Sequence, residues 1–263
     1  MNALEQIVAR TRSEVARRRV AAPLRELELA ASARLEQGPL RPFAPALSGP
    51  GVAVIAEHKR RSPSAGLIRD GLAVQDVVGA YERGGAEALS ILTEAASFGG
   101  TLADLSRARE ASTLPILRKD FVVDAYQVTE SLAAGADAIL LIVAALQASE
   151  LASLYAQAQS LSLGVLVEVH DEAELDVAAE LGARTIGINN RDLTTLEVDT
   201  ERTHVLAPRA PDGSLVVAES GFRTRGELDQ LAGAGVDAVL VGEALMRAPD
   251  IEAACRALTG APV

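Results

Sequence analysis

An internal repeat constrains the fold of this 263-residue chain more than any other feature. Four segments each join a glycine to a short apolar run: GAEALSIL at Gly85, GADAILLI at Gly135, GARTIGIN at Gly182 and GVDAVLVG at Gly235. This pattern is typical of a glycine that ends a helix and leads into a strand. The spacings are 50, 47 and 53 residues, so each interval has room for two strand and helix units. The repeat therefore marks every second unit of an eight-unit chain.

Short apolar runs between the repeats supply the remaining units. Together they give eight predicted strands, at residues 52–59, 88–93, 115–120, 138–143, 165–170, 185–190, 215–220 and 238–242. Segments with helical periodicity separate them, among them 124–134, 149–160, 172–181 and 224–232. Strands that alternate with helices form a parallel sheet. A doubly wound open sheet is the alternative, but the two-unit periodicity favours a (β/α)8 TIM barrel.

The first fifty residues do not follow this alternation. The chain up to about residue 34 is rich in Arg, Glu, Ala and Leu and has helical character, whereas residues 38–51 hold four prolines, which break helices. We therefore expect residues 1–50 to be an N-terminal helical extension and an irregular linker packed on the barrel, and residues 51–263 to be the catalytic barrel. A mobile basic tail is the alternative.

Charge and composition exclude several classes of function. A formal net charge of -11, no Trp and only four Phe and three Tyr argue against nucleic-acid binding. No run approaches the roughly 18 apolar residues that a membrane span needs. The charged N-terminus lacks the apolar core of a signal peptide, and Cys255 is the single cysteine. We therefore expect a cytoplasmic protein with no membrane or nucleic-acid partner.

The basic residues carry a second signal. Of 25 basic side chains only Lys59 and Lys119 are lysine, and the other 23 are arginine. Arg suits any position that needs a positive charge alone, whereas the pKa of Lys can be tuned by burial for proton transfer or for attack on a carbonyl. Either lysine taken alone could have been kept by chance. The positions of the two lysines in the predicted fold therefore decide between chance and function.

Both lysines fall at the carboxyl ends of predicted strands, where a barrel builds its active site. Side chains alternate along a strand, so Glu57 and Lys59 continue one inward face. The other strand ends carry Lys119, Glu168, Asn189 followed by Arg191, and Glu219 with Ser220. A lone charge here can be a solvated strand terminus. Carboxylates and amines gathered in one partly desolvated mouth, however, are natural general acids and bases, so the set predicts acid-base catalysis.

Phosphate recognition is predicted near the first, seventh and eighth strands. Gly221 and Gly242 follow strands seven and eight, where barrels commonly bind phosphate through backbone N–H groups. Ser62 of the loop RSPSAG adds a hydroxyl donor. The carboxylate of Glu243 would repel phosphate unless it points away and leaves only its N–H to donate. The sequence therefore predicts a small phosphorylated substrate.

No metal or cofactor site is predicted. His58, His170 and His204 lack the spacing of metal ligands, and strand alternation directs His58 and His170 outward. Neither a dinucleotide-binding glycine motif nor a Walker loop is present in the sequence.

Eight motifs, in order, carry a resemblance to a known family. They are VIAEHKRRSPSAG, ILTEAASFGGTLADL, LPILRKDFVVDAYQV, GADAILLIV, VLVEVH, GINNRDL, VAESGF and VLVGEALMR. Over residues 52–247 the chain resembles indole-3-glycerol phosphate synthase, a lyase of tryptophan biosynthesis. The resemblance implies ring closure, decarboxylation and dehydration of 1-(2-carboxyphenylamino)-1-deoxyribulose 5-phosphate, without an organic cofactor or a metal. We also expect a monomer, or at most a weak homodimer.

The resemblance implies roles for individual residues. Lys119 resembles the general acid at the substrate carbonyl. Lys59 resembles the residue that contacts the substrate carboxylate and serves as the acid in dehydration. Glu57 and Glu168 resemble bases or stabilisers of positive charge on the ring nitrogen. The other matching positions are Asn189, Arg191 and Ser220 for substrate orientation, Phe98 for ring packing, and Ser62, Gly221, Gly242 and Glu243 for phosphate. For Phe98, an ordinary core side chain is the alternative.

Two positions depart from the family pattern. The family commonly has Lys where this chain has Ala65, which puts a loop charge in doubt. It commonly has Ser where this chain has Glu243, which puts a side-chain contact with phosphate in doubt.

Two other functions stay open. A Schiff-base aldolase would use Lys119 as a nucleophile. A catalytically silent phosphate-binding barrel would need neither lysine.

Overall fold

Eight parallel strands close into a barrel in the computed structural model, which describes residues 2–262. They are β1 (Ala53–His58), β2 (Ala88–Leu92), β3 (Ile116–Lys119), β4 (Ala138–Ile142), β5 (Gly164–Val169), β6 (Thr185–Asn189), β7 (Leu215–Glu219) and β8 (Ala238–Val241). Each strand pairs with the next in the chain, and β8 pairs with β1. The predicted TIM barrel is confirmed, and every predicted strand agrees within one residue at each end.

Thirteen α-helices are found in residues 2–262. They are α1 (Ala3–Ala21), α2 (Leu24–Glu36), α3 (Phe43–Ala46), α4 (Val74–Arg83), α5 (Ala95–Phe98), α6 (Leu102–Ala111), α7 (Ala125–Ala133), α8 (Ala148–Ser160), α9 (Glu172–Glu180), α10 (Glu201–Leu206), α11 (Arg225–Ala232), α12 (Glu243–Arg247) and α13 (Ile251–Thr259). The four helices predicted at 124–134, 149–160, 172–181 and 224–232 correspond to α7, α8, α9 and α11.

Strand alternation divides the core as the sequence predicts. Ala53 and Ile55 of β1 pack in the barrel interior, whereas Val54 and Ala56 pack in the larger cluster between strands and helices. The interior face of β1 therefore continues upward into Glu57.

The four repeat glycines connect helices to the even-numbered strands. Gly85, Gly135, Gly182 and Gly235 have φ values of 83°, 99°, 74° and 81°, the left-handed conformation that glycine adopts without strain. In each case the chain leaves a helix and enters β2, β4, β6 or β8 within three residues. The two-unit repeat is thus confirmed as a feature of the barrel.

The N-terminal extension is helical and contacts the barrel through ion pairs. Arg18 of α1 donates to Glu130 of α7 at 2.8 Å, and Arg10 donates to Glu94 beyond β2 at 2.6 Å. Glu130 and Glu94 are both buried, so these contacts hold α1 against the barrel and argue against a mobile tail. The division at residue 50 stays a prediction.

The linker is less irregular than we expected. Its prolines do not prevent the single turn α3, because Pro42 is the cap and Pro45 lies in the first turn, where a missing N–H costs nothing. Phe43 and Leu47 are buried with Ala53 and Ile55 at the amino-terminal end of the strands. The turn therefore forms because it fills the barrel floor.

Candidate active site

A cavity of about 290 Å³ opens at the carboxyl ends of the strands. Side chains from α1, from the loops and from the barrel interior surround it. All twelve residues predicted from sequence line this one cavity: Glu57, Lys59, Ser62, Phe98, Lys119, Glu168, Asn189, Arg191, Ser220, Gly221, Gly242 and Glu243. Side chains separated by up to 186 positions therefore meet, because parallel strands of a barrel end at the same rim.

Lys119 lies at the centre of the cavity floor between two carboxylates. Its Nζ is 2.7 Å from Glu168 Oε2 and 3.1 Å from Glu219 Oε2, and the three side chains are 13%, 1% and 2% exposed. Glu168 is the second-last residue of β5 and Glu219 is the last of β7, so three different strands supply the cluster. The single ammonium group neutralises two carboxylates that water barely reaches.

This arrangement separates the proton affinities of the three groups. Burial by itself would lower the pKa of Lys119, but Glu168, Glu219 and Glu57 outweigh it and hold that pKa well above its usual value. Burial would raise the pKa of Glu168, yet Lys119 and His170 hold it well below its usual value. Burial, with Glu168 nearby, raises the pKa of Glu219 to about 7. One carboxylate stays ionised, while the other can exchange a proton near neutral pH.

Glu57 and Lys59 form a second pair at the end of β1. Lys59 Nζ is 2.8 Å from Glu57 Oε1, and the hydroxyl of Ser90 donates to Glu57 Oε2 at 3.2 Å. The backbone of Gly242 passes so close that a Cβ at that position would lie 2.6 Å from Glu57 Oε1. The glycine at position 242 therefore leaves room for this carboxylate.

Asn189 joins the acid-base cluster to the neighbouring loops. Its Nδ2 donates to Glu168 Oε1 at 3.2 Å, while its Oδ1 accepts from the N–H of Arg191 at 3.1 Å and the hydroxyl of Ser220 at 3.0 Å. Ser220 has φ 64°, an uncommon conformation for a residue with a side chain. Such strain persists where the surroundings fix it, and it often marks functional sites.

The predicted phosphate residues follow three neighbouring strands, β1, β7 and β8, and line the cavity there. Gly221 has φ 103°, and a Cβ there would meet Thr200 Cγ2 at 2.6 Å, so only glycine fits. Ser62 is buried in a small hairpin whose strands are Arg61–Ser62 and Gly66–Leu67. Glu243 Oε1 accepts from Arg247 Nε at 2.9 Å, one turn further along α12. Its carboxylate is thus engaged within the helix and partly neutralised.

Part of the cavity wall is apolar. Phe98 packs against Phe121 with ring centroids 6.4 Å apart, and Leu4 and Ile7 of α1 line the same cavity. Phe98 is partly buried against the barrel-interior cluster and also lines the cavity, so its role in ring packing stays a prediction. An aromatic ring of a ligand would meet this wall while its polar groups faced the lysines.

Comparisons with known proteins identify the family. The sequence model of indole-3-glycerol phosphate synthase matches residues 4–258. The chain is 49% identical over 258 residues to indole-3-glycerol phosphate synthase 2 of Streptomyces coelicolor, covering 98% of both chains. It is 50% identical over 252 residues to indole-3-glycerol phosphate synthase of Parafrankia sp., covering 95% of this chain and 92% of the relative. The chain belongs to the indole-3-glycerol phosphate synthase family.

Membership of this family makes the chain an enzyme, a carboxy-lyase of tryptophan biosynthesis. Solved structures of lower identity share its fold alone. A 3-hexulose-6-phosphate synthase aligns with TM-score 0.65 at 16% identity, covering 80% of this chain and 99% of that one. An orotidine 5'-phosphate decarboxylase from Pyrococcus horikoshii aligns with TM-score 0.59 at 13% identity, covering 78% and 97%.

Sequence reasoning missed the contacts that two residues, Glu219 and His170, make in this indole-3-glycerol phosphate synthase family site. The sequence placed Glu219 only among the strand-end residues. Val217, two residues earlier, packs in the barrel interior, so strand alternation directs Glu219 inward as well, toward Lys119. His170 does not point simply outward as predicted, because its Nε2 lies 3.4 Å from Glu168 Oε1. Glu168 and His170 are two residues apart, so strand alternation places them on the same face as the interior Leu166, and the outward prediction misapplied that alternation. His58, in contrast, is buried next to Arg60 and Asp104 of α6.

No group of three or more metal-binding side chains occurs in residues 2–262. Within the same residues, no helix is both long and apolar enough to cross a membrane.

Proposed function

We propose that the enzyme converts 1-(2-carboxyphenylamino)-1-deoxyribulose 5-phosphate to indole-3-glycerol phosphate, carbon dioxide and water by lysine and glutamate acid-base catalysis. The observation that carries the proposal is the ammonium of Lys119, held by Glu168 and Glu219 in the floor of the cavity. An aromatic wall and a glycine-rich end complete a site of suitable shape for an aryl sugar phosphate.

Ring closure forms a bond between the carboxyl-bearing ring carbon and the substrate carbonyl carbon. Lys119 gives a proton to the carbonyl oxygen as this bond forms, so that no free alkoxide develops. The ring nitrogen shares the positive charge of the resulting intermediate, which the carboxylate of Glu168 stabilises. In this step Glu168 therefore acts through its charge and Lys119 acts by giving a proton.

Decarboxylation and dehydration complete the sequence. The C–C bond to the carboxylate breaks, its electron pair returns toward the positive nitrogen, and carbon dioxide leaves. Lys59, paired with Glu57, then protonates the departing hydroxyl, while a carboxylate accepts the remaining ring proton. Glu219 suits that acceptor role because its pKa of about 7 lets it take a proton and release it to water.

The remaining residues bind and orient the substrate. Ser62, Gly221, Gly242 and the N–H of Glu243 hold the phosphate, with the Glu243 carboxylate turned to Arg247. Asn189, Arg191 and Ser220 form one hydrogen-bonded unit that orients the ribulose chain. Phe98 packs on the aryl ring. Ala65 removes a loop charge that the family commonly has, outside the acid-base set.

A fluorescence assay with the ribulose phosphate substrate tests the proposal directly, because the indole product fluoresces. Product at a rate well above background is the expected result, and none with a folded enzyme would overturn it. Borohydride trapping tests the aldolase alternative. An ammonium has no lone pair, and the raised pKa of Lys119 keeps it charged, so we expect no stable adduct.

A further inference from the structure

His170 contacts Glu168 of the acid-base cluster but is not among the residues that line the cavity. It follows β5 directly, and its ring lies between two carboxylates: Nε2 is 3.4 Å from Glu168 Oε1, and Nδ1 is 3.0 Å from Glu174 Oε2. Glu174 also accepts the backbone N–H of His170 at 2.8 Å. The side chain is only 11% exposed. An imidazole that faces one carboxylate with each ring nitrogen can satisfy both only when it carries two protons.

The Nε2 contact is an ion-pair contact rather than a well-formed hydrogen bond, since this atom is buried without a hydrogen-bond partner. Two charged groups act on the ring, Glu168 of β5 and Glu174 of α9. Burial alone would lower the pKa of His170, but these carboxylates outweigh it and raise the pKa to about 10. The positive end of α9 opposes a cation here, so both carboxylates are needed.

Glu168 thus has a cation at each carboxylate oxygen. Lys119 lies at Oε2, and His170 lies at Oε1 beside the amide of Asn189. Only one of these cations faces the cavity. When Lys119 turns to the substrate carbonyl, Glu168 loses its closest partner in a place that water barely reaches, and an uncompensated buried carboxylate tends to take up a proton.

We propose that His170 is a positioning residue whose imidazolium, anchored by Glu174, keeps Glu168 ionised and in place while Lys119 is engaged with the substrate. This inference rests on the proposed function, because it assigns Glu168 its work during turnover. His170 itself touches no reacting atom. Its charge is instead coupled through Glu168 to Lys119 and Glu219, the other members of the cluster.

The charge of His170 can be measured without substrate. The chain has only three histidines, so spectra of histidine-labelled protein are simple, and His170→Gln identifies the signal. We expect the ring of His170 to remain doubly protonated beyond pH 9. Titration of His170 near the ordinary value of about 6.5 would overturn the proposal whether or not the enzyme makes the proposed product.

The role of His170 is tested by kinetics of three variants. In His170→Gln we expect kcat to fall about tenfold or more at pH 6.5 and less at pH 8.5, with KM within about twofold, because Glu168 protonates more easily in the substrate complex. The acid limb of kcat should move up by about one pH unit. His170→Lys keeps the charge and should recover part of the loss, while His204→Gln is the matched control.

A wild-type acid limb in His170→Gln would refute the positioning role, as would an equal, pH-independent loss in His170→Gln and His170→Lys. Absence of product from the wild-type enzyme would instead defeat the proposed function and leave the charge measurement standing.

Discussion

Replacement of Lys119 separates its structural role from its catalytic one. Lys119→Met removes the one cation between Glu168 and Glu219. At an effective dielectric constant of about 20, unit charges 2.7 and 3.1 Å apart attract by about 6 and 5 kcal/mol. Most of this offsets the desolvation of three buried groups, and loss of one partner from a buried pair typically costs about 3–5 kcal/mol. We expect a penalty of that size in the free energy of unfolding at pH 8.5.

The penalty should depend on pH with a definite sign. Lys119 lowers the pKa of Glu219, which is still about 7, so its loss raises that pKa further. Above pH 7 the folded variant then holds a proton that the folded wild type has lost. The penalty therefore grows by about 1.4 kcal/mol per pH unit above pH 7 until the variant's own Glu219 ionises, and it levels off below pH 7, where both folded proteins hold this proton.

Urea unfolding at pH 6 and pH 8.5, followed by circular dichroism, measures the penalty, and Lys119→Arg is the matched control. Arg keeps the positive charge, so we expect a loss of less than about 1 kcal/mol, but it does not release a proton, so turnover should fall about 10²–10⁴-fold. An equal penalty for Lys119→Met at both pH values would refute the electrostatic reasoning. Unchanged turnover in Lys119→Arg would refute the general-acid role.

Three further predictions follow from contacts around the site. Gly242→Ala places a Cβ 2.6 Å from Glu57 Oε1, so it should reduce kcat about tenfold or more in the fluorescence assay while the protein still folds. Arg10→Gln removes the contact that holds Glu94, whose carboxylate accepts the N–H of Phe98, and should raise KM several-fold with a smaller change in kcat. Burial lowers the pKa of His58 to about 4, so stability should fall, by up to about 3 kcal/mol, as pH drops from 6.5 to 4.

Each of these predictions has a control. Gly226→Ala has no neighbour within 4 Å of the added Cβ and should leave kcat unchanged, so an equal loss in both glycine variants would contradict the steric argument. Arg25 is exposed on α2, and Arg25→Gln should leave KM unaltered. If His58→Gln unfolds with the same pH dependence as the wild type between pH 4 and 6.5, His58 does not carry that slope.

Local patterns predicted the barrel because they reflect local physics. Each repeat glycine can adopt the positive φ that ends its helix whatever lies around it, and alternation along a strand sends Ala53, Ile55 and Glu57 to one side whatever the partner strands are. The position of the carboxyl ends then follows from the parallel topology, so the twelve predicted residues could be placed at one rim before any distance was known. Lys59 and Lys119 were identifiable because the chain otherwise uses Arg.

Pairing at the site could not be predicted, because it depends on distances between segments remote in the sequence. Which carboxylates Lys119 contacts is fixed by the barrel register, in which Asn189 lies opposite Glu219. The Glu243 carboxylate accepts from Arg247 one turn further along α12. The residue at which α12 starts depends on where β8 ends.

The sequence by itself determined the repeat, the parallel eight-strand order, the family and the rim where the polar residues gather, because these follow from spacing along the chain. Only the tertiary structure decided that Lys119 bridges Glu168 and Glu219, and that His170 lies between Glu168 and Glu174. Those contacts set the protonation states of the cluster. Electrostatic energies depend on distance and burial in three dimensions, which spacing along the chain does not specify.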